Sequence, residues 1–413
     1  MDWQRLMKLN AVLVNDTAIR IGLEREGQRV TNAGQLATTD LAPHLMARLP
    51  GLQRDFAETQ LELVTAVQPH ARAAWNALMK LTQAVRRGIS PELIWPLSMP
   101  PTLPQDEHAI PIAKLDTAAV AYRQALAHRY GRRRQMLSGL HCNVSLSSQL
   151  LTALYRCQTD VMTFTEFQDQ CYLHIAQNYL HYRWFLTYWY GCAPQCWPGA
   201  GQLQPLQAVR SIRNGPDGYQ NRGGVNIAYD SLNHYCMTLQ AAIRSGQLTA
   251  AKEFYGQVRL RGAAEPLKLR QTGIQYLELR NLDLNPWASA GITIAQLTFV
   301  AWFVLLMLWL PVPADITGWI QTGHKANTRV AMESPTQETD YLAEGLQLVA
   351  AMRALSTGVA QPAATAMANQ MLMGLNEPTT TLAAQWQLRT QGSLEVGTQY
   401  ALQLARRAEG RNC

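Results

Sequence analysis

The sequence predicts an α+β fold, and two observations support that prediction. Strand-like and helix-like patterns are mixed over about the first two-thirds of the chain, whereas helical patterns dominate from about Ala288 onward. No stretch rich in Pro or Gly is long and polar enough to be a linker, and no internal repeat occurs. We therefore expect residues 1–413 to form a single domain, with a sheet-containing body over about 1–310 and a mainly helical part over about 311–413.

The first predicted strand covers Ile21–Val30, where Leu23, Arg25 and Gly27 alternate with Glu24, Glu26 and Gln28. Residues two apart share one face of a strand, so Glu24 and Glu26 would lie side by side. Two neighbouring carboxylates repel unless a positive charge lies between them. Taken alone, the same pattern is also typical of the exposed face of an edge strand.

The second acidic segment, Asp55–Thr65, has an ambiguous period. Asp55, Glu58 and Glu62 would share one face of a helix, whereas Glu58, Gln60 and Glu62 would share one face of a strand. The β-branched end of the segment favours a strand for its second half. A solvated face is the alternative interpretation.

The segment Gly273–Pro286 predicts a further strand, in which Tyr276, Glu278 and Arg280 alternate with apolar or neutral residues. One face would be apolar and the other would carry an acid next to a base. A cross-strand ion pair is the alternative to a functional role.

The fourth predicted strand, Ser138–Leu146, places His141, Asn143 and Ser145 on one face. A single histidine on a strand is more often a core or surface residue than a ligand. Together, however, the four segments contribute several carboxylates and one imidazole in a chain that is otherwise poor in charge. Such donors suit Mg²⁺ or Mn²⁺. The sequence has neither a P-loop nor a G-x-G-x-x-G motif, so metal ions and Arg would have to hold any phosphates.

The C-terminal part is predicted to be helical, with Ala-rich stretches at Tyr341–Ser356 and Ala383–Ala408 packed on the body. Ahead of it, no charge occurs between Asp283 and Asp315, and Leu297–Leu310 is its most apolar run. A membrane span needs about 20 strongly apolar residues. Because this run is shorter and is closed by prolines, a helix buried within the domain is favoured over a membrane span.

Composition restricts the class of protein. Of the 413 residues, 47% are hydrophobic and 16% are charged, and the net charge is +7. This excludes a disordered chain, which would be poorer in apolar residues. The basic residues are 30 Arg and 6 Lys. This excess of Arg could serve nucleic acid, a membrane surface or small anions bound by one Arg at a time, and composition does not choose among them. Because the Arg are dispersed apart from Arg132–Arg134, we expect no nucleic-acid partner.

The cysteines and the N-terminus predict a cytoplasmic protein. Seven cysteines, the last of them Cys413, are scattered along the chain in apolar settings, which is typical of reduced thiols. Cys192 and Cys196 form the single close pair, and without a second pair we expect no zinc site. The N-terminus has no apolar stretch of the kind that secretory signals carry, and we expect no membrane partner.

Eight segments occur in an order that resembles the bacterial glutamate–cysteine ligases (γ-glutamylcysteine synthetases). They are IGLEREGQRV, DFAETQLELVT, LIWPLSMPPTLP, YRQALAHRYG, QMLSGLHCNVSL, LTYWYGCAP, RSIRNGPDGY and GIQYLELRNLDLNP, and they cover roughly residues 20 to 310. The chain looks like a stand-alone form of the N-terminal part of bifunctional glutathione-synthesising enzymes. The resemblance implies a glutamine-synthetase-like fold, in which helices wrap a curved, mainly antiparallel sheet.

The resemblance also implies a reaction, the first step of glutathione biosynthesis. ATP would phosphorylate the γ-carboxylate of L-glutamate, and the amine of L-cysteine would then attack the γ-glutamyl phosphate to give γ-glutamylcysteine, ADP and phosphate. The alternative is a sister ATP-dependent carboxylate–amine ligase with another amine acceptor. A glycine-adding ATP-grasp domain would need roughly 300 further residues, so we expect the first step alone. We expect a monomer or a weak oligomer.

Site residues are carried over from the family one at a time. The resemblance implies that several Mg²⁺ ions are held around the ATP phosphates by Glu24, Glu26, Asp55, Glu62, His141 and Glu278. It implies a phosphate contact for Arg280 and a nucleotide contact for Asn143, with Arg280, Glu278 and His141 as the catalytic residues. The implied cysteine pocket consists of Tyr122, Leu126, Gln135, Leu137, Tyr219 and Tyr255, and Arg213 would bind a substrate carboxylate.

Two features depart from the family pattern. The loop after the first strand usually reads T-x-H-P in the family, whereas here Thr39–Pro43 lacks that histidine. The triple arginine Arg132–Arg134 is not a family feature, and we interpret it as a solvated surface turn.

Overall fold

Seven strands form one sheet in the computed structural model, which describes residues 1–199 and 207–410. Cys413 therefore lies outside the described residues. The strands are β1 Ile19–Val30, β2 Leu52–Arg54, β3 Gln60–Val64, β4 Leu93–Ile94, β5 Leu140–Leu146, β6 Val258–Arg261 and β7 Tyr276–Leu282. All four strands predicted from alternation are present, and in the ambiguous segment the strand begins at Gln60, as the β-branched end indicated.

The sheet has the strand order β2-β3-β1-β5-β7-β6, with β4 added to one end of β1, and every pair is antiparallel. The strand β1 lies in the middle of this order. The interpretation of Glu24 and Glu26 as the exposed face of an edge strand is therefore wrong, because β1 has a hydrogen-bonded neighbour on each side.

Sixteen α-helices surround the sheet within the described ranges. They are α1 Trp3–Leu9, α2 Pro43–Arg48, α3 Ala71–Ile89, α4 Thr117–Tyr130, α5 Arg132–Gln135, α6 Ser148–Cys157, α7 Phe164–Tyr182, α8 Trp184–Tyr190, α9 Leu232–Arg244, α10 Pro266–Thr272, α11 Ile294–Trp309, α12 Ile316–Ala331, α13 Leu342–Gly358, α14 Pro362–Leu375, α15 Leu382–Thr390 and α16 Leu394–Ala408. The mixed architecture with an antiparallel sheet agrees with the predicted α+β class.

The two faces of the sheet differ in chemistry. On one face, register pairs such as Leu23 with Cys142 and Val144 with Leu277 belong to a large apolar core shared with α7 and α11. The other face carries charged side chains. Because adjacent residues of a strand point to opposite faces, the alternation in the sequence sorts them into these two layers.

The charge-free run forms α11, which is buried on nearly its whole length, as predicted. Thr293 and Gln296 cap its first turn by reciprocal hydrogen bonds, and the helix ends just before Pro311. Phe303 stacks on Phe185 of α8 at 6.2 Å between ring centroids. Each such buried aromatic side chain contributes about 1.5–3 kcal/mol. No helix in the described ranges has the length and apolar character that a membrane crossing requires.

The C-terminal part is helical, with one break that the sequence analysis did not place. The stretch expected to be helical at Ala383–Ala408 is divided into α15 and α16. The chain turns between them because Gln391 and Gly392 adopt positive φ angles of 51° and 72°. Such angles are incompatible with a continuous right-handed helix.

Candidate active site

A cavity of about 490 Å³ opens on the charged face of the sheet. Side chains of six strands line it, together with residues of α4, α5 and the connecting loops. Its two sides differ in charge. We call Glu24, Glu26, Asp55 and Glu62 the carboxylate half, and Arg259, Arg261 and Arg280 around Glu278 the guanidinium half.

Strand register builds the carboxylate half. Glu24 is paired with His141 across β1 and β5, and Glu26 is paired with Glu62 across β1 and β3. Paired residues of antiparallel strands project on the same face about 5 Å apart. His141 consequently reaches two carboxylates, with Nδ1 at 3.3 Å from Glu24 and Nε2 at 3.5 Å from Glu26.

Asp55 joins this half from the loop that connects β2 and β3. Its backbone carbonyl accepts a hydrogen bond from Nε of Arg123 at 2.5 Å. Glu58, which follows in the same loop, does not line the cavity. Its carboxylate is buried and accepts hydrogen bonds from Arg54 and from backbone N–H groups, so Glu58 has a structural role.

Crowding of the carboxylates changes their proton affinities. Burial, together with the neighbouring charge of Asp55, raises the pKa of Glu26 to about 8 and that of Glu62 to about 9. Burial also raises the pKa of Asp55. Without a cation, Glu26 and Glu62 therefore hold protons near neutral pH. The carboxylate half is thus arranged to receive positive charge.

The guanidinium half surrounds Glu278. Register places Arg259 of β6 opposite this residue, and Arg280 follows two residues later on the same face. Oε1 of Glu278 accepts a hydrogen bond from Arg280 and lies 3.4 Å from Nη1 of Arg259, while Oε2 lies 3.3 Å from Nε of Arg261. Burial alone would raise the pKa of Glu278, but the three guanidinium groups outweigh it and hold that pKa well below its usual range.

Three donors could hold a metal ion where the two halves meet. Ligand atoms of Glu24, His141 and Glu278 all lie within 4.8 Å of one another. Burial and the charge of Arg280 lower the pKa of His141 to about 4, so the ring is neutral and can bind a metal. Nε2 of His141 is buried without a hydrogen-bond partner. This orphaned atom and the oxygen-rich set fit Mg²⁺ or Mn²⁺.

Aromatic residues form another part of the cavity wall. The rings of Tyr219 and Tyr255 lie 4.6 Å apart. The Tyr219 hydroxyl accepts a hydrogen bond from Arg280 at 2.8 Å, and the Tyr255 hydroxyl donates to Gln135 at 3.1 Å. Tyr122, which contacts Nζ of Lys252 through its ring, also lines the cavity, as does Leu126.

Three residues of the predicted site do not line this cavity. Asn143 lies next to it and donates a hydrogen bond to Glu24 at 2.7 Å. Leu137 is packed in an apolar cluster, and its carbonyl accepts from Gln60. Arg213 is buried behind Tyr219, where it donates to the carbonyls of Arg280 and Leu282. Their predicted roles in nucleotide and substrate binding remain predictions.

The sequence analysis missed four cations that line the cavity, namely Arg123, Lys252, Arg259 and Arg261. A signal for two of them was available. Arg259 and Arg261 alternate with apolar residues in the strand β6, as Glu278 and Arg280 do in β7. Arg123 and Lys252 gave no such signal, because they lie on a helix and in a 3₁₀ turn.

The interpretation of Arg132–Arg134 as a solvated turn is wrong. These residues form α5, and each guanidinium donates to backbone carbonyls of neighbouring loops. Arg134 donates to the carbonyls of Gly218 at 2.5 Å and Gln220 at 3.2 Å. It therefore fixes the loop on both sides of Tyr219.

Comparison with known proteins identifies the family of the chain. A family model described as glutamate-cysteine ligase matches residues 7–249 and 243–317. The glutathione biosynthesis bifunctional protein GshAB of Enterococcus faecalis is 39% identical over 359 residues, which is 85% of this chain and 48% of that protein. The protein of the same name from Mannheimia succiniciproducens is 37% identical over 373 residues. The chain spans about half the length of these curated relatives.

Solved structures show the same architecture. A bifunctional glutathione synthetase from Pasteurella multocida superimposes with a TM-score of 0.90 at 34% identity, covering 99% of this chain and 55% of that one. A glutamate–cysteine ligase from Francisella tularensis in complex with AMP superimposes with a TM-score of 0.84 at 22% identity, covering 95% of this chain and 89% of that one. On the family match and the identity to its relatives, the chain belongs to the glutamate-cysteine ligase family.

Proposed function

We propose that this chain catalyses the ATP-dependent ligation of L-glutamate to L-cysteine. In this reaction a γ-carboxylate oxygen of glutamate attacks the γ-phosphorus of ATP, and ADP leaves. The amine of cysteine then attacks the acyl carbon, and phosphate leaves as the amide forms. Since the chain matches about half of each curated relative, the proposal covers this ligation step alone.

One observation supports the proposal most strongly. Five carboxylates, a neutral imidazole and four guanidinium groups converge on one cavity in a chain that is poor in charge. Phosphoryl transfer is catalysed mainly by positioning and by neutralising the phosphate oxygens. Such catalysis requires acids that hold metal ions and basic side chains that hold phosphates. The carboxylate half supplies the acids, and the guanidinium half supplies the basic side chains.

We assign the metal site to Glu24, His141 and Glu278, with Glu26, Asp55 and Glu62 as further carboxylates that could bind Mg²⁺. Bound Mg²⁺ would neutralise charge on the phosphate oxygens of ATP. The side chains of Arg259, Arg261 and Arg280 would contact the same phosphates directly, because their guanidinium groups are already held in place by Glu278.

We propose that cysteine binds against the three tyrosines that line the cavity, which we call the tyrosine wall. Tyr122, Tyr219 and Tyr255 offer aromatic faces for the side chain, and the hydroxyls of Tyr122 and Tyr219 would donate to its carboxylate. The α-amine of a free amino acid has a pKa of about 8, so a useful fraction is neutral near that pH without help from a protein base. Gln135, fixed by Tyr255, lies on the same wall and would contribute to acceptor selection.

A coupled assay of ADP release tests the proposal. With Mg²⁺, ATP and glutamate present, we expect turnover that depends on cysteine, together with mass-spectrometric detection of γ-glutamylcysteine. Replacing cysteine with 2-aminobutyrate or small amines tests the acceptor. Turnover with those amines and none with cysteine would point to a sister ligase, and absence of turnover with any amine would refute the proposal.

A cytoplasmic location belongs to the same proposal. Cys142, Cys171 and Cys192 are buried thiols rather than disulfide partners, which is typical of a reducing compartment. Reaction of the native and unfolded chain with a thiol reagent checks this property.

A further inference from the structure

A second cavity, of about 320 Å³, lies behind the tyrosine wall. Tyr219 and Tyr255 line both cavities and separate them. The other walls of this rear cavity come from the loop after Asn214, the segment Phe254–Gln257, the junction of α7 and α8, and one face of α12. None of the metal-binding carboxylates lines it.

The rear cavity contains a buried cation with incomplete hydrogen bonding. Arg183 joins α7 to α8 and is 3% exposed. Its Nη1 donates to the carbonyl of Leu180, and its Nη2 lies 2.6 Å from Nδ1 of His324. Its Nε is buried and has no hydrogen-bond partner. Burial lowers the pKa of Arg183 to about 10, so the group is still positively charged at neutral pH.

This positive charge is not neutralised by the protein. No carboxylate of the described chain forms an ion pair with Arg183, and no Asp or Glu is among the described residues that line the rear cavity. His324 accepts its hydrogen bond from a guanidinium and so contributes no negative charge. Arg213 on the same wall is different, because Asp283 lies 3.7 Å from it. The cavity therefore holds one uncompensated positive charge.

Asn214, a second polar residue of the rear cavity, also has one atom without a hydrogen-bond partner. Asn214 lines the rear cavity, and its amide nitrogen donates to Ser211 and to the carbonyl of Asn281, whereas its Oδ1 is buried without a partner. Buried polar groups in folded proteins nearly always have partners. A buried unpaired charge is especially costly. An anion bound in the rear cavity would supply the counter-charge that Arg183 lacks.

We propose that the rear cavity binds a small organic monocarboxylate. Its carboxylate would pair with the guanidinium of Arg183, the one arginine of the described lining that has no carboxylate within ion-pair distance. A single guanidinium matches a single negative charge, whereas a phosphate dianion would require a second one. Aromatic and amide side chains, among them Tyr229, Phe254 and Asn226, form the remaining surface. This site goes beyond the ligase reaction and does not depend on it.

The test is a ¹⁹F NMR titration of the full chain with trifluoroacetate, with trifluoroethanol as an uncharged probe that carries the same CF₃ group. We expect saturable binding of trifluoroacetate and binding of trifluoroethanol that is at least about tenfold weaker. Acetate should displace trifluoroacetate more effectively than inorganic phosphate at equal ionic strength.

Three variants test whether trifluoroacetate binds at Arg183. His324→Glu places a carboxylate next to Arg183 at an exposed helix position, so it should fold normally and weaken trifluoroacetate binding at least about tenfold. Gln321→Glu makes the same charge change one turn earlier on α12, outside the cavity, and should bind as the parent chain does. Arg183→Met removes the cation itself and should also abolish binding.

Several results would overturn the proposal. They are absence of trifluoroacetate binding by the parent chain, equal binding of trifluoroethanol, stronger displacement by phosphate, and unchanged binding by His324→Glu. Because each readout is binding rather than turnover, failure here is distinct from failure of the proposed ligase activity.

Discussion

Glu278 and Glu62 are carboxylates of the same cavity, yet their proton affinities shift in opposite directions. Glu278 is buried, and Glu62 is half-buried. Glu278 lies among Arg259, Arg261 and Arg280, and its pKa is held well below the usual range. Glu62 faces other carboxylates instead, and its pKa is raised to about 9 by burial and by Asp55. The difference is produced by the neighbours on the adjoining strands, since the residue type is the same.

The comparison shows that the two halves of the cavity differ in charge balance. The guanidinium half is complete in the protein itself, because Glu278 holds its cations in fixed positions. The carboxylate half is electrostatically incomplete, because its acids repel one another until protons or metal ions bind. A site of this kind would place cations and phosphates in defined positions without a phosphate-binding loop.

The largest effect is expected from Glu278→Gln. This change removes the counter-charge of three guanidinium groups and one metal donor, and we expect turnover to fall about a hundredfold to a thousandfold. Circular dichroism should show a retained fold with a lower Tm, since glutamine has nearly the same shape. Glu395→Gln makes the same chemical change at an exposed position of α16 and serves as the control. Near-normal turnover of Glu278→Gln would remove its assigned role.

His141→Ala should have a smaller and more selective effect. His141 contacts both Glu24 and Glu26, so its loss should weaken use of Mg²⁺ and ATP at least about tenfold and leave the KM for cysteine nearly unchanged. Steady-state kinetics with each substrate varied in turn would measure this, with the exposed His44→Ala as the control. A rise confined to the KM for cysteine would contradict a role at the metal.

The carboxylate half should make stability depend on pH when no metal is bound. Glu26 and Glu62 have pKa values of about 8 and 9 in the folded chain, against about 4.3 for an unfolded chain. Between about pH 4.5 and pH 9 the folded state then binds more protons, so its free energy of unfolding falls as pH rises. Below about pH 4.5, Glu26 and Glu62 are protonated in both the folded and the unfolded state, so their contribution to the free energy of unfolding does not change.

Thermal unfolding measured with EDTA or with Mg²⁺ checks this pH dependence. We expect Mg²⁺ to raise the Tm more at about pH 8.5 than at about pH 6, because the ion replaces the protons. Glu62→Gln should reduce the slope in EDTA, whereas Glu395→Gln should leave it unchanged. An equal Mg²⁺ effect at both pH values would show that the carboxylates do not titrate as described.

The smallest effect is expected at Arg134, which lies outside both halves. Arg134→Met loses the hydrogen bonds on either side of Tyr219, each worth about 1 kcal/mol, so the KM for cysteine should rise about fivefold with little change in kcat. Arg133→Met is a matched control, because Arg133 donates to the loop at Pro104 and Gln105 instead. If both variants raise this KM equally, Arg134 does not act through Tyr219.

Much of the fold could be predicted from the sequence because alternation and apolar runs are local signals. The four strands β1, β3, β5 and β7 and the buried helix α11 were found in this way. The break between α15 and α16 was not, because the sequence analysis did not use Gln391 and Gly392 as a helix stop.

The site was predicted in outline but not in detail. Strand alternation grouped Glu24 with Glu26 and Glu278 with Arg280, and register then brought them to one face. Strand alternation could not distinguish Glu62, which lines the cavity, from Glu58, which is hydrogen-bonded within a loop. Those two residues have similar surroundings in the sequence, and the strand β3 begins between them.

By itself, the sequence determined which side chains share a face, because a strand has a fixed period of two residues. Only the tertiary structure decided which strands are neighbours, and hence that β6 brings Arg259 and Arg261 to Glu278 and that β1 is central rather than an edge. It also decided that Arg134 holds the loop of Tyr219 and that Arg183 is buried without a counter-ion. Charge compensation depends on distances between residues far apart in the chain, and local patterns carry no such information.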